Sequence, residues 1–190
     1  MPRNHFLYRK SNQLKKQDKS LKQSWDKKII PLCEKINSKK EFYTTSSCSG
    51  RILILKESDK KTDKLFIFRT HELTNFNEIK KALKKIKYKG LIYYRLDPCI
   101  IHIAANTLEN SQKIHDLGKK AGWKRCGIIA TNKRFVVELN ASYKIELPIM
   151  FQGKILVDNE YLKFLVKESD RKLKKCWDVI RKLEGARNDK

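Results

Sequence analysis

Three short stretches of this chain hold residue types that could do chemistry. TTSSCSGR at 44–51 crowds hydroxyls, a thiol, a glycine and an arginine into one segment. Backbone N–H groups and hydroxyls in such a loop can hold an anion or a carboxylate. Arg51 can clamp phosphate or carboxylate with its planar fork. The same pattern also fits a polar turn that only caps a strand. Cys48 is a nucleophile if it is exposed and its pKa is depressed, and otherwise a small, partly buried thiol. In DPCIIHI at 97–103, Pro98 favours an extended residue before it, so Asp97 stands at a strand entrance. His102 is flanked by Ile101 and Ile103 and points away from both if the segment is a strand. It is either a core histidine with one hydrogen bond or a site histidine able to take a proton. In WKRCGI at 123–128, Trp123, Lys124 and Arg125 can engage phosphate or stack on a base, or form a solvated charge pair. Gly127 suggests a close backbone approach or a bend. His71 is a weaker candidate, and His115 reads as a helix-surface residue.

The elements that must position these residues are legible from periodicity. Residues 1–40 form a lysine-rich, helix-compatible arm with a broken apolar stripe that includes Phe6, Leu21, Trp25 and Ile36. Trp25 reads as a core anchor, and Pro31 as a kink or a helix restart. Tyr43–Thr45 favour extended structure, and Ser46–Gly50 a tight bend. Arg51–Leu55 begin a buried strand that forms a hairpin with 64–71 across the polar loop 57–64. An amphipathic helix over 75–88, capped by Asn75 or Asn77, buries Ile79, Leu83 and Ile86. Residues 90–106 make two strands broken at Asp97-Pro98. A helix over 107–121 turns Leu108, Ile114 and Leu117 inward, with Gly118 weakening its end. Strands at 126–131 and 135–140 are joined through Asn132, Lys133 and Arg134, and 143–149 forms another. Asp158 or Asn159 caps a closing helix that ends near Gly185. This order predicts an α+β fold: a hairpin-rich mixed or antiparallel sheet with flanking helices. A Cys-Gly step before a hydrophobic strand occurs in CSGRILIL and in CGIIAT, a weak sign of internal duplication. No G-x-G-x-x-G follows a strand, so the fold is not Rossmann-like. The length suits a single domain over 1–190, with a helical arm at about 1–40, a core at about 41–157 and the closing helix at about 158–185.

Lysine plus arginine number 44 and aspartate plus glutamate 21, so the formal charge is 44 − 21 = +23. A field of that sign draws in polyanions, and nucleic acid is the expected partner. Heat adaptation raises lysine and glutamate together, whereas here lysine rises alone. The five cysteines are widely spaced with no C-x-x-C, which argues against a disulfide scaffold or a zinc site and for a reducing compartment. No apolar run matches a signal peptide or a membrane span, so a cytoplasmic or nuclear protein, with no membrane contact, is expected, and the cytoplasm is preferred. No obligate protein partner is evident. No RNP-type aromatic motif or GXXG clamp points to a passive RNA-binding module.

Taken in order, the three loops resemble the family of tRNA wybutosine-synthesising protein 3, in its archaeal type. YTTSSCSGRI at 43–52 resembles that family's most distinctive segment. DPCIIHI resembles its Pro-x-x-x-His strand, and KRCGI at 124–128 its Arg-x-Ser-Gly segment. The opening DKSLKQSWDKKIIPLCEKIN and the closing ILVDNEYLKFLVKESDRKLKK are also similar, so the likeness spans most of 6–185. Cys126 stands where the family usually has serine, and Asp170 where it often has asparagine. The resemblance implies an S-adenosyl-L-methionine-dependent methyltransferase acting on N4 of the tricyclic guanosine beside the anticodon of tRNA(Phe). It implies His102 or Asp97 as catalytic base. Ser46, Ser47, Cys48, Ser49, Gly50, Arg51, Cys126 and Gly127 would line the cofactor site. Tyr43, Thr45, His71, Trp123 and Arg125 would meet the substrate, and lysines on 15–40, 80–89 and 171–182 would hold the anticodon arm. The alternative is a non-catalytic protein that binds structured RNA.

Overall fold

The computed structural model describes residues 3–15, 26–58 and 65–186. Leu21, Trp25, most of the 57–64 loop and the end of the C-terminal tail lie outside the described residues. The helices are α1 (Arg3–Leu14), α2 (Ile30–Ser38), α3 (Phe76–Lys84), α4 (Leu108–Lys120) and α5 (Asn159–Gly185). The strands are β1 (Phe42–Cys48), β2 (Arg51–Lys56), β3 (Phe66–Thr70), β4 (Ile92–Asp97), β5 (Ile100–Ala105), β6 (Arg125–Ala130), β7 (Phe135–Asn140), β8 (Ile145–Phe151) and β9 (Lys154–Ile155). The chain gathers into two compact units. The first is drawn from Met1–Ser49, Cys99–Ser142 and Cys176–Lys190, the second from Gly50–Pro98 and Tyr143–Lys175. The fold is α+β, and all strand pairings are antiparallel, in two sheets.

The first unit carries a sheet in the order β1-β5-β7-β6. Its inner face presents Phe42, Ile101, Ile103, Val137 and Leu139, all buried, with Leu32 and Ile36 of α2 and Leu183 of α5 packed nearby. The polar residues of β5 and β7, His102, Glu138 and Asn140, all fall on the opposite, outer face, as a sheet with one covered face requires. Thr107 caps α4 by accepting from the Asn110 N–H at 3.1 Å. Leu108, expected inward, is 48% exposed, because it sits in the first turn just past the cap; Ser111 and Gly118 are buried instead. Gly118 does not end the helix. It lets α4 lie close on β7, where a Cβ would come within 2.6 Å of Leu139. Pro31 occupies the first turn of α2, so it restarts a helix rather than kinking one.

The second unit carries a sheet in the order β3-β2-β4-β8-β9. One face is apolar and closed, with Ile52, Ile54, Ile92, Tyr94 and Leu96 fully buried. Ile79 and Leu83 of α3 and Leu162, Leu165 and Val166 of α5 are buried in the same unit. The Tyr94 hydroxyl donates to Ser169 of α5 at 2.9 Å. Asn75 caps α3, which stops at Lys84, short of the expected 88. Asp158 caps α5 by accepting from the Tyr161 N–H at 2.7 Å. The hairpin β2–β3, α3 and then β4 follow one another here, with β4 on β2. In the first unit β5 and α4 precede the hairpin β6–β7, with β5 on β7, so the two units run through similar parts in opposite order.

Asp170 of α5 accepts from the Thr74 N–H at 3.1 Å. Burial pushes its pKa up against the pull of that hydrogen bond and of Lys174. For an acid whose folded pKa is raised, stability is fullest below the unfolded value of about 3.9 and falls as pH rises through the folded one. Asp170→Asn keeps an oxygen acceptor for Thr74 and removes the charge. We expect a higher Tm than wild type at pH 7, with the difference vanishing as pH falls toward about 3.9, the unfolded aspartate value. Thermal melts across that range check it, and an unchanged or lower Tm at pH 7 would contradict the assignment.

Candidate active site

The sequence motifs converge on two faces, one in each unit. In the first unit the decisive feature is a β-bulge. Thr44 pairs with Ile103 and Ser46 with His102, so Thr45 is the extra residue. Its hydroxyl reaches the His102 carbonyl at 3.4 Å. The bulge shifts the alternation of β1, so Tyr43, Ser46 and Cys48 share the outer face. The tight bend expected at Ser46–Gly50 is therefore only Ser49–Gly50, because Ser46 to Cys48 are held in the ladder to β5.

Cross-strand partners share a face. Ser46 pairs with His102, His102 with Glu138, and Glu138 with Gly127. These four residues form one transverse row across all four strands. His102 Nε2 lies 2.8 Å from Glu138 Oε2, with side chains about a quarter and a third exposed. In the neutral imidazole this contact puts the hydrogen on Nε2, facing the Glu138 carboxylate, and the lone pair on Nδ1. A Cβ on Gly127 would meet nothing within 4 Å, so the surface is open there. One neighbouring row, Tyr43–Ala104–Val136, is roofed by Phe6 of α1. The other runs Cys48–Ile100–Asn140–Arg125. Asn140 Oδ1 in that row is buried without a hydrogen-bond partner among the described residues.

Several expected site residues turn inward or are already engaged. Ser47 and Cys126 lie in the adjacent inner row with Ile101 and Leu139. Ser47 hydrogen-bonds the Cys33 thiol, whose pKa burial pushes up to about 11. The Cys126 thiol donates to the Trp123 carbonyl at 3.2 Å, and burial raises its pKa. The thiol thus takes a backbone acceptor on the inner face and does not border the His102 row. Ser49 is fully buried and donates through N–H and hydroxyl to the Asp26 carboxylate at 2.9 and 3.3 Å. It binds a carboxylate, but the protein's own. Tyr43 is buried against Phe6 with ring centroids 5.1 Å apart. Burial raises its pKa, while Arg134 and Arg9 pull it back. Trp123, expected to stack on a base, is completely buried and donates to the Val179 carbonyl at 3.2 Å. A ring with no exposed face cannot stack on a nucleotide. Arg125 is exposed on the edge strand β6.

In the second unit, Gly50 has φ 97°, the left-handed conformation that glycine adopts without strain. Its carbonyl lies 3.1 Å from His71 Nδ1. Arg51 Nε donates to Asp97 Oδ2 at 2.9 Å, and Arg95 Nε to Asp97 Oδ1 at 2.5 Å. Both oxygens of Asp97 are thus committed to guanidinium groups. That geometry makes Asp97 a positioning group for two arginines rather than a base. These side chains line a cleft of about 690 Å³ on the open face of the sheet, walled by Leu53, Leu55, Phe66 and Tyr93. Arg95 and Glu138 were missed by sequence reasoning. Glu138 did carry a signal: it is a lone acid between Val137 and Leu139, as His102 is a lone imidazole between two isoleucines.

Lys81, Lys84, Lys85, Lys87 and Lys89 are exposed around α3, and Lys163, Lys167, Arg171, Lys174, Lys175, Arg181 and Lys182 along α5. Lysines 16–24 lie outside the described residues. No helix among the described residues is long and apolar enough to cross a membrane.

The sequence profile of the family described as methyltransferase TYW3 matches residues 4–187. The chain is 37% identical over 159 residues to the tRNA(Phe) 7-((3-amino-3-carboxypropyl)-4-demethylwyosine(37)-N(4))-methyltransferase of Methanocaldococcus jannaschii, covering 82% of each chain. It is 30% identical over 174 residues to the tRNA wybutosine-synthesizing protein 3 homolog of Xenopus laevis, covering 88% of this chain and 68% of that one. Among solved structures, the PH1069 protein from Pyrococcus horikoshii superposes with a TM-score of 0.86 at 29% identity, over 96% of this chain and 93% of that one. A match over nearly the whole length, in sequence and in fold, leaves one assignment: this chain belongs to the TYW3 methyltransferase family.

Proposed function

We propose that this protein transfers a methyl group from S-adenosylmethionine to N4 of the tricyclic, wyosine-type guanosine at position 37 of tRNA(Phe), in the cytoplasm. Its substrate, like that named for its archaeal relatives, carries a 3-amino-3-carboxypropyl side chain. Kinship is the observation that supports this most: the family match runs over residues 4–187, through all three motifs. S-adenosylmethionine, when bound, supplies a methyl group on a positively charged sulfur. The residues present fit such a donor, since Arg51, on the rim of an open cleft, offers a guanidinium to its carboxylate. His102 accepts the proton leaving N4 through Nδ1, and Glu138 orients the ring through Nε2. The exposed lysines of α3 and α5 hold the phosphates of the anticodon arm.

The test is transfer to purified tRNA(Phe) bearing the unmethylated tricyclic base, with nucleosides read by mass spectrometry. A product heavier by one methyl is expected. A protein that only bound structured RNA would leave the mass unchanged. The lysine surface also sets a salt dependence. Each phosphate neutralised contributes roughly −0.7 to −0.9 to the slope of log K against log salt. Changing Lys81, Lys84 and Lys85 together to glutamine should flatten that slope by about two to three by the same relation. Filter binding across a salt series checks it, and an unchanged slope would remove α3 from the tRNA surface.

A further inference from the structure

The cleft of the second unit is unlike the rest of this protein. The chain carries a net charge of +23, yet three cations, Arg51, Lys56 and Arg95, and three anions, Glu57, Asp97 and Glu146, line this cleft. A phosphate site or an RNA-backbone groove would be positive. A lining of balanced charge suits a ligand that carries both signs.

The charges are also placed unequally. Arg51 and Arg95 converge on Asp97, which fixes both forks through Nε. That arrangement leaves the Nη atoms at the outer end of each fork. Arg95 and Arg51 pair across from Leu53 and Asp97 in the ladder, and Glu146 lies directly opposite Arg95 on β8. Arg95 Nη1 and Glu146 Oε1 are 3.6 Å apart, too far for a hydrogen bond. The cleft therefore presents a cation and an anion side by side, in an ion pair that is not hydrogen-bonded. Glu146 also pairs with Lys144, an exposed side chain that can move into solvent. Beyond this pair the wall is apolar and aromatic, with Leu53, Leu55, Phe66 and Tyr93, and the volume of about 690 Å³ is that of a small-molecule pocket.

We infer that this cleft is a specificity site for a 3-amino-3-carboxypropyl group, with Arg51 and Arg95 taking the carboxylate and Glu146 the ammonium. An α-amino acid end puts an anion and a cation on one carbon, the complement of the Arg95–Glu146 pair. Within the proposed reaction, on which this identification rests, two molecules carry that group: the methyl donor and the side chain of the tricyclic base. The aromatic wall holds whichever ring system is attached.

The experiment compares wild type with Arg95→Met and Glu146→Gln, each first shown to fold by circular dichroism and thermal melting. One arm measures the Kd of S-adenosylhomocysteine by calorimetry. The other measures Kd for tRNA(Phe) carrying the tricyclic base with and without the 3-amino-3-carboxypropyl chain. Removing one charge-assisted hydrogen bond is expected to weaken binding of the true occupant by about tenfold or more. If S-adenosylhomocysteine weakens in both variants, the cleft holds the donor. If the preference of wild type for the side-chain-bearing tRNA collapses, it holds the substrate. If both variants keep every Kd within twofold of wild type, the inference is overturned. Methyl transfer by the wild type is read separately. Its absence, with the binding differences intact, would remove the proposed reaction and leave the cleft assignment standing; its presence, with no binding difference, would do the reverse.

Discussion

Replacing His102 with alanine is expected to lower methyl transfer by about a hundred- to ten-thousand-fold, the usual contribution of a positioned general base. The fold should survive. His102 lies on the outer face of its sheet, about a quarter exposed, while Ile101 and Ile103 hold the strand in the core. Its truncation loses the hydrogen bond to Glu138 and should cost about 1–2 kcal/mol, short of unfolding the protein. tRNA affinity and salt slope should match wild type, because the lysines lie on other elements. Glu138 acts through the imidazole, so Glu138→Gln should lower kcat and leave KM unchanged, with Glu138→Asp in between. Single-turnover transfer at saturating tRNA reads all three. Full activity of the alanine protein would end the base assignment, and a Glu138→Gln protein changed in KM alone would show that the acid meets substrate instead.

Trp123→Ala should produce the largest loss of stability, about 3–5 kcal/mol. The ring is completely buried and its indole nitrogen donates to Val179 of α5, so truncation opens a cavity and removes a buried hydrogen bond together. Against a typical total of about 5–15 kcal/mol, that loss brings the protein close to unfolding at growth temperature. Trp123→Phe keeps much of the volume and should cost about 1–3 kcal/mol, chiefly the hydrogen bond. Urea unfolding with unchanged m-values gives these numbers. The same phenylalanine protein separates a core role from a nucleic-acid role. A stacking residue would be worth about 1–3 kcal/mol of affinity per base, whereas a core residue should leave the Kd for tRNA within twofold.

The sequence was most informative where one physical signal governs an element. Short apolar runs bounded by turn residues placed β5 and β7 correctly, helix period with a capping asparagine placed α3, and helix period placed α4. Which motif residues would share a face was not legible. A bulge adds one residue without altering local composition, so simple alternation groups Tyr43 with Thr45 and Ser47, while the register groups Tyr43 with Ser46 and Cys48. Polar residue types also do not reveal their partners. Ser46, Ser47 and Ser49 look alike in sequence, yet one faces solvent, one bonds a buried thiol and one is spent on Asp26. Trp123 failed for the same reason: an indole beside two basic residues suits a stacking surface or a core equally well, and only burial decides. Arg95 and Glu146 were hidden because their pairing joins strands about fifty residues apart.

The chain passes between its two compact units at Ser49–Gly50, Pro98–Cys99, Ser142–Tyr143 and Lys175–Cys176. On the ribosome this has a temporal meaning. The first unit includes Cys176–Lys190, so it lacks Leu183 and the Val179 acceptor of Trp123 until the last turns of α5 have left the exit tunnel. Synthesis that releases domains one after another from the N-terminus gives this protein no early finished piece. A nascent chain stalled before residue 176 would leave uncovered the part of the first sheet's inner face that Leu183 packs near. Loss of the last few turns of α5 is therefore a defect of folding yield before it is one of catalysis.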